Sequence, residues 1–307
     1  MNRRVLKINF GHIPLLEIIM KLKKLVYSFL LILTLGYVAF AQARPESKPF
    51  PPFRIAGNLY YVGDNYQADY LIVTSQGNIL INSGYEADVS KIKESIAKLG
   101  FKFNDTKVFL ISHAHGDHIG GGALIKKETG AKYMVMDTDV PIVETGGKAD
   151  FQYGNSSDLD NFYQPTKVDR VLHDGDQMKL GDTVLVAHHT GGHTKGCTTW
   201  TMKVTEKGKS YNVAIVGGPF VNPGYKLVHN TEYPNIAKDY KHMFKVLKSL
   251  HCDIFLGAHG MYFDLEKKYA LMNKAKTNPF VDPEGYKKFV VAKEQDFRNE
   301  LAKQNGV

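Results

Sequence analysis

An α/β fold of two packed sheets covered by helices is what this 307-residue chain predicts, on three observations. Short apolar runs of strand length fall in two successive groups, the first between residues 70 and 136, the second between 183 and 256. Helical patterns are interleaved with both groups. Three of the runs end in polar loops that carry histidine, the position where open α/β sheets place their ligands.

The N-terminus reads as a targeting segment. Met20-Lys21-Leu22-Lys23-Lys24 is a basic head, Leu25 to Phe40 is a 16-residue apolar run, and Ala39-Phe40-Ala41 before Gln42 is the small-x-small pattern that signal peptidase cuts. Sixteen residues are short for a membrane span, and no stop-transfer pattern follows. The expectation is an upstream segment plus signal peptide over 1–41, with the start at Met20 and cleavage after Ala41. A single exported domain, periplasmic or secreted, would then occupy 42–307, free of the membrane once cleaved. Export also changes the charge balance. Six of the 39 Lys and Arg and one of the 31 Asp and Glu lie in residues 1–41, so the net charge falls from +8 to +3 on their removal. No basic cluster with interleaved aromatics remains, which argues against nucleic-acid binding. Cys197 and Cys252 are too few for a disulfide scaffold and read as two small buried residues, or as a pair if the fold brings them together.

Arg44 to Pro52 (RPESKPFPP) is an extended, proline-rich lead-in. Tyr70–Val73 and Asn78–Ile81 flank Gly77 and predict a hairpin. Val89, Ile92, Ile96 and Leu99 repeat at helical spacing, with Gly100 as the stop. A strand over Val108–Ser112, a helix over Gly120–Thr129 and a strand over Lys132–Met136 follow. Thr145 to Lys167, rich in Gly, Asn, Ser and Asp and carrying Phe151, Tyr153, Phe162 and Tyr163, is a long loop and a candidate substrate-facing lid. The second group places strands at Thr183–Ala187, Thr199–Val204 and Tyr211–Val216. Helix Ile236–Leu250 then feeds strand Asp253–Leu256, and the tail from Glu266 is helical, broken near Pro279 and Pro283.

The chemistry concentrates in "HAHGDH". His113 and His115 are spaced i and i+2 at the end of a strand, so their rings share a side. A turn at Gly116 would let Asp117 and His118 point elsewhere, so that one segment feeds two neighbouring metals. His193 in "AHHTGGHTKGCTTW" (Ala187–Trp200) and His259 in "FLGAHG" (Phe255–Gly260) also follow strands directly. Imidazole suits zinc and carboxylate is compatible with it. His12, His173, His188, His189, His229, His242 and His251 are assigned structural roles.

"HAHGDH", "GGHTKG" and "GAHG", in this order and spacing, resemble the metallo-β-lactamase superfamily over Phe53 to Leu265. The resemblance implies an αββα sandwich of two mixed sheets flanked by helices. Two-metal members such as glyoxalase II carry a bridging aspartate after the strand that follows the "GHT" loop. Here that strand, Tyr211–Val216, ends in Gly217-Gly218-Pro219-Phe220, with no Asp and no Cys. That absence, together with His118, "VNPGYKLV" (Val221–Val228) and "GCTTW", resembles the third subclass of the β-lactamases.

The resemblance implies two zinc ions, the first on His113, His115 and His193 and the second on Asp117, His118 and His259. It implies attack on the lactam carbonyl by a hydroxide that zinc supplies, opening penicillins, cephalosporins and carbapenems as small-molecule substrates of a monomer. Asp117 would orient the water and relay its proton, Tyr225 would donate to the oxyanion, and Tyr66 would line the opposite rim. Serines common in the subclass are replaced by Pro219 and Val221, and the family aspartate after the second strand is Asn82. A hydrolase of another ester, lactone or thioester is the alternative on the same fold. A metal-binding protein with little catalysis is a third reading.

Overall fold

Side chains that alternate across two β-sheets build this fold, and a computed structural model describes residues 47–306 of the chain. The expected signal segment, with Met20 and Ala41, lies outside the described residues. The first sheet runs β1 (Phe53–Ala56), β2 (Leu59–Tyr61), β3 (Tyr70–Thr74), β4 (Gly77–Ile81), β5 (Thr106–Leu110), β6 (Lys132–Met136) and β7 (Arg170–Leu172) in that order. It is antiparallel as far as β4 and parallel from β4 to β7. The second sheet is β8 (Gln177–Leu180), β9 (Thr183–His189), β10 (Thr198–Glu206), β11 (Lys209–Val216) and β12 (Ile254–Gly257), antiparallel except for the parallel β11–β12 pair. Both sheets are therefore mixed.

Period-two patterning fixes which face each strand buries. Ile79 and Ile81 of β4, Val108 and Leu110 of β5, and Met134 and Met136 of β6 join Leu185, Trp200, Met202 and Ile215 in the core between the sheets. Leu80, Phe109, Tyr133 and Val135 point the other way. They pack under α1 (Val89–Lys98), α3 (Gly122–Thr129) and α4 (Val140–Glu144) through Val89, Ile92, Ile96, Ile125, Ile142 and Val143. The second sheet is covered by α5 (Ile236–Ser249) and α7 (Pro283–Gln304), with Phe255 of β12 against Tyr286 and Phe289 at ring distances of 5.4 and 5.0 Å. A short α6 (Leu265–Leu271) precedes α7. The layers are helix, sheet, sheet, helix. Among the described residues no helix is long and apolar enough to cross a membrane.

Trp200 ties the sheets where the chemistry begins, its Nε1 donating to the Ile111 carbonyl at 2.9 Å. The anticipated hairpin, helices and central strands are present. Two expectations change. β5 ends at Leu110 rather than Ser112. In place of a turn at Gly116 there is a one-turn helix, α2 (Gly116–Ile119), so Asp117 and His118 leave on helical directions. Gly116 is required there for space: a β-carbon on it would sit 2.2 Å from the Asp160 carbonyl oxygen of the long loop.

Candidate metal centre

The ends of β5, β9 and β12 lie together, and each delivers histidine. After β5, Asn82 holds the departing chain: its Oδ1 accepts from Ser112 N at 2.8 Å and its Nδ2 donates to the Ala68 carbonyl at 3.1 Å. Ser112 Oγ lies 3.1 Å from Nδ1 of His113, which leaves that ring's Nε2 free. His193 is fixed in the same way, its Nδ1 donating to the Phe220 carbonyl at 2.9 Å. The same ring packs directly on Gly218, just past the end of β11. A β-carbon on Gly218 would lie 2.5 Å from the His193 ring. His115 completes the cluster, with ring centroids 4.9 Å from His113 and 4.7 Å from His193. One donor atom from each of the three histidines lies within 4.8 Å of the others.

A second cluster sits alongside, its His118 ring 4.2 Å from that of His113. Nε2 of His118 faces Nε2 of His259 at 3.2 Å, and Asp117 Oδ2 lies 3.3 Å from the first and 3.8 Å from the second. Donors about 2.0–2.1 Å from a tetrahedral zinc stand about 3.3 Å apart. Two imidazoles and a carboxylate with these edges fit such an ion, and their mutual approach is poorly satisfied by hydrogen bonds alone. Nδ1 of both His118 and His259 is buried without a partner.

Electrostatics keep the donors in their metal-binding forms. Burial, reinforced by the facing imidazoles, holds His113 well below the ordinary histidine range. Burial takes His118 and His193 down to about 3, and it lowers His259 although Asp117 pulls the other way. Burial raises Asp117, but His118, His259, His115 and His193 outweigh it and bring the carboxyl to about 2. Neutral imidazoles surround an ionised carboxylate at neutral pH. His115 is the exception: burial lowers it, but Asp150, facing it at 3.7 Å, outweighs burial and leaves it above the ordinary histidine value. Nothing local in the sequence marks Asp150, a loop carboxylate 35 positions from its partner. Its Oδ1 accepts from the amides of Gln152 and Tyr153 at 2.8 and 2.7 Å.

The long loop lies over the first cluster. The Tyr153 ring is 5.2 Å from His115, and the Tyr163 hydroxyl donates to the Ala114 carbonyl at 3.0 Å. On the other side, the Tyr66 ring stands 4.5 Å from His259. Tyr225 is buried beneath the cluster, where its hydroxyl donates to the His193 carbonyl at 2.8 Å and lies beside the Tyr153 hydroxyl. Cys197 and Cys252 are free thiols that burial raises to about 12; they do not pair. His188, His189, His173 and His251 have partners of their own in Thr201, the Lys195 carbonyl, Asp137 and Asp253.

Comparison with known proteins agrees with this geometry. Residues 62–205 match the family model described as the Metallo-beta-lactamase superfamily. The native FEZ-1 metallo-beta-lactamase from Legionella gormanii is 60% identical, with a TM-score of 0.83 over 85% of this chain and 99% of that one. BJP-1, a subclass B3 metallo-beta-lactamase of Bradyrhizobium japonicum, is 39% identical, with a TM-score of 0.78 over 84% of this chain and 96% of its own. A protein of Burkholderia pseudomallei (strain 1710b) named as a probable metallo-hydrolase is 28% identical over 143 residues, 45% of either chain. The chain thus spans less than half the length of the curated relatives it matches.

Proposed function

This chain belongs to the metallo-beta-lactamase superfamily, and from that membership we propose that it hydrolyses the amide bond of β-lactam antibiotics with two zinc ions. The observation that carries the reading is the second cluster. Asp117, His118 and His259 converge with edges of 3.2–3.8 Å, with no cysteine and no bridging aspartate at the end of β11.

His113, His115 and His193 would hold one zinc, and Asp117, His118 and His259 the other. When bound, zinc acidifies a water toward a pKa of about 7 and polarises a carbonyl. The chain's own residues supply the rest. Hydrogen bonds at Nδ1 of His113 and His193 orient those rings. Asp117, ionised and the least buried side chain of its cluster, accepts a proton from the attacking water. Tyr66 and Tyr153 wall the two sides of the site with aromatic surface that shields the reacting bond from bulk water. The reading extends to penicillins, cephalosporins and carbapenems as substrates of a single chain. A periplasmic or secreted location is supported by the basic head and apolar run before Ala41.

Hydrolysis of a chromogenic cephalosporin, lost on chelation and restored by zinc, is the expected result. A protein that holds two zinc ions but turns over no penicillin, cephalosporin or carbapenem would overturn the substrate assignment and leave a hydrolase of another ester, lactone or thioester.

A further inference from the structure

Asp139 lies outside both donor clusters, yet it is fully buried and takes three hydrogen bonds from the two loops that carry the first cluster. Its Oδ2 accepts from Ala114 N at 3.0 Å, between His113 and His115, and from Thr194 Oγ1 at 2.7 Å, next to His193. Its Oδ1 accepts from Gly196 N at 2.6 Å. The neighbouring Thr138 adds a bond from its Oγ1 to the Lys195 carbonyl at 2.9 Å. The approach is so close that a β-carbon on Gly196 would lie 2.5 Å from Asp139 N and 2.7 Å from its Cβ.

A carboxylate suits this position for a stated reason. Two N–H groups and one O–H converge on it, and an ionised Asp offers acceptors only. An Asn would turn its NH2 toward one of those donors. Burial raises Asp139 to about 6 against the lowering pull of Thr194 and Gly196, so the group is ionised at neutral pH. Buried charge of this kind is costly unless fully hydrogen-bonded, and here it spans loops 55 and 25 residues away in sequence.

We propose that Asp139 is a positioning residue for the first metal site: it locks the His113–His115 segment to the His193 loop and so sets the separation of the three imidazoles. The inference rests on the two-metal reading only in naming which site is set.

The test is zinc affinity, read by competition with a chromophoric chelator, with one site isolated at a time. In a His118→Ala background, which leaves the first cluster intact, adding Asp139→Asn should weaken zinc binding at least tenfold, within the 10–100-fold seen when groups supporting a ligand are lost. In a His193→Ala background, which leaves the second cluster intact, the same change should alter affinity less than about twofold. Should Asp139→Asn fail to fold, Thr194→Val removes one of the three bonds at nearly constant volume and should weaken the first site alone. Equal weakening of both sites, or of neither, would overturn the proposal, as would a wild-type chain that binds no zinc. Because the readout is metal affinity, a chain that binds zinc but spares every β-lactam would refute the substrate reading and leave this one standing.

Discussion

Gly116→Ala is the sharpest probe of how the long loop serves the site. The new β-carbon would lie 2.2 Å from the Asp160 carbonyl oxygen, where ordinary contact begins at 3.4 Å, so one side must retreat by about 1.2 Å. The two sides differ in resistance. The helix α2 is buried, and Ser83 N donates to the His118 carbonyl at 2.9 Å, whereas residues 157–160 are exposed on the surface of the long loop. The loop should move and the donors should stay. Overpacking of this kind costs about 1–3 kcal/mol. If the whole cost falls on the loop's substrate-bound position, KM rises by roughly 5- to 150-fold. Steady-state kinetics on a chromogenic cephalosporin should show that rise with kcat within about twofold, zinc content unchanged and faster proteolysis across residues 155–161. A KM within twofold of wild type would refute the reasoning. So would loss of zinc from the Asp117–His118–His259 cluster, because it would mean that the helix had yielded.

Two further substitutions separate structural from catalytic duty. Tyr225→Phe removes the bond to the His193 carbonyl, and it should cost about 0.5–1.5 kcal/mol in urea unfolding while lowering kcat less than tenfold. A loss of 100-fold or more would assign the hydroxyl to the oxyanion instead. Asp69 is buried with Oδ1 unpartnered, and burial, then Asp64 and Asp88, holds its carboxyl well above the usual range. The folded state therefore keeps a proton that the unfolded chain releases near pH 3.9, and stability falls as pH rises above that value. Asp69→Asn should raise unfolding stability by about 1–3 kcal/mol at neutral pH, with the gain shrinking toward pH 4. A variant less stable than wild type at neutral pH would show that the charge is needed.

What was legible in the sequence was local. The strands β3 to β6 alternate or run apolar because they are buried on both faces, and the helices between them repeat at 3.6 residues. β1 and β2 are only four and three residues long, too short to establish a period. β7 and β8 are half exposed, so their composition carries no strand signal. Five of the six donors fall in two short motifs, and the sixth, His259, shares their position at a strand end. The supporting groups were not legible. Asp139 and Asp150 act across 25 to 57 positions, through contacts that exist only once the loops meet. The bond from Tyr225 to the His193 carbonyl was equally out of reach, since it follows from burial that the sequence does not display.

The two clusters are supported differently, and this bears on the departures at Pro219 and Val221. His193 is held through the Phe220 carbonyl, which also accepts from the Tyr240 hydroxyl at 2.6 Å. The backbone of the 217–221 segment thus works for the first cluster whatever side chains flank Phe220. The side chains at 219 and 221 are therefore separable from the orientation of the donors, which the Phe220 carbonyl maintains. The second cluster is held by other means: its geometry depends on the one-turn helix α2, on the loop after β12 and on the Tyr66 backbone beside His259. Gly116 sits at the start of that helix and beneath the long loop, so the segment that first marked the site also couples the second cluster to the wall above it.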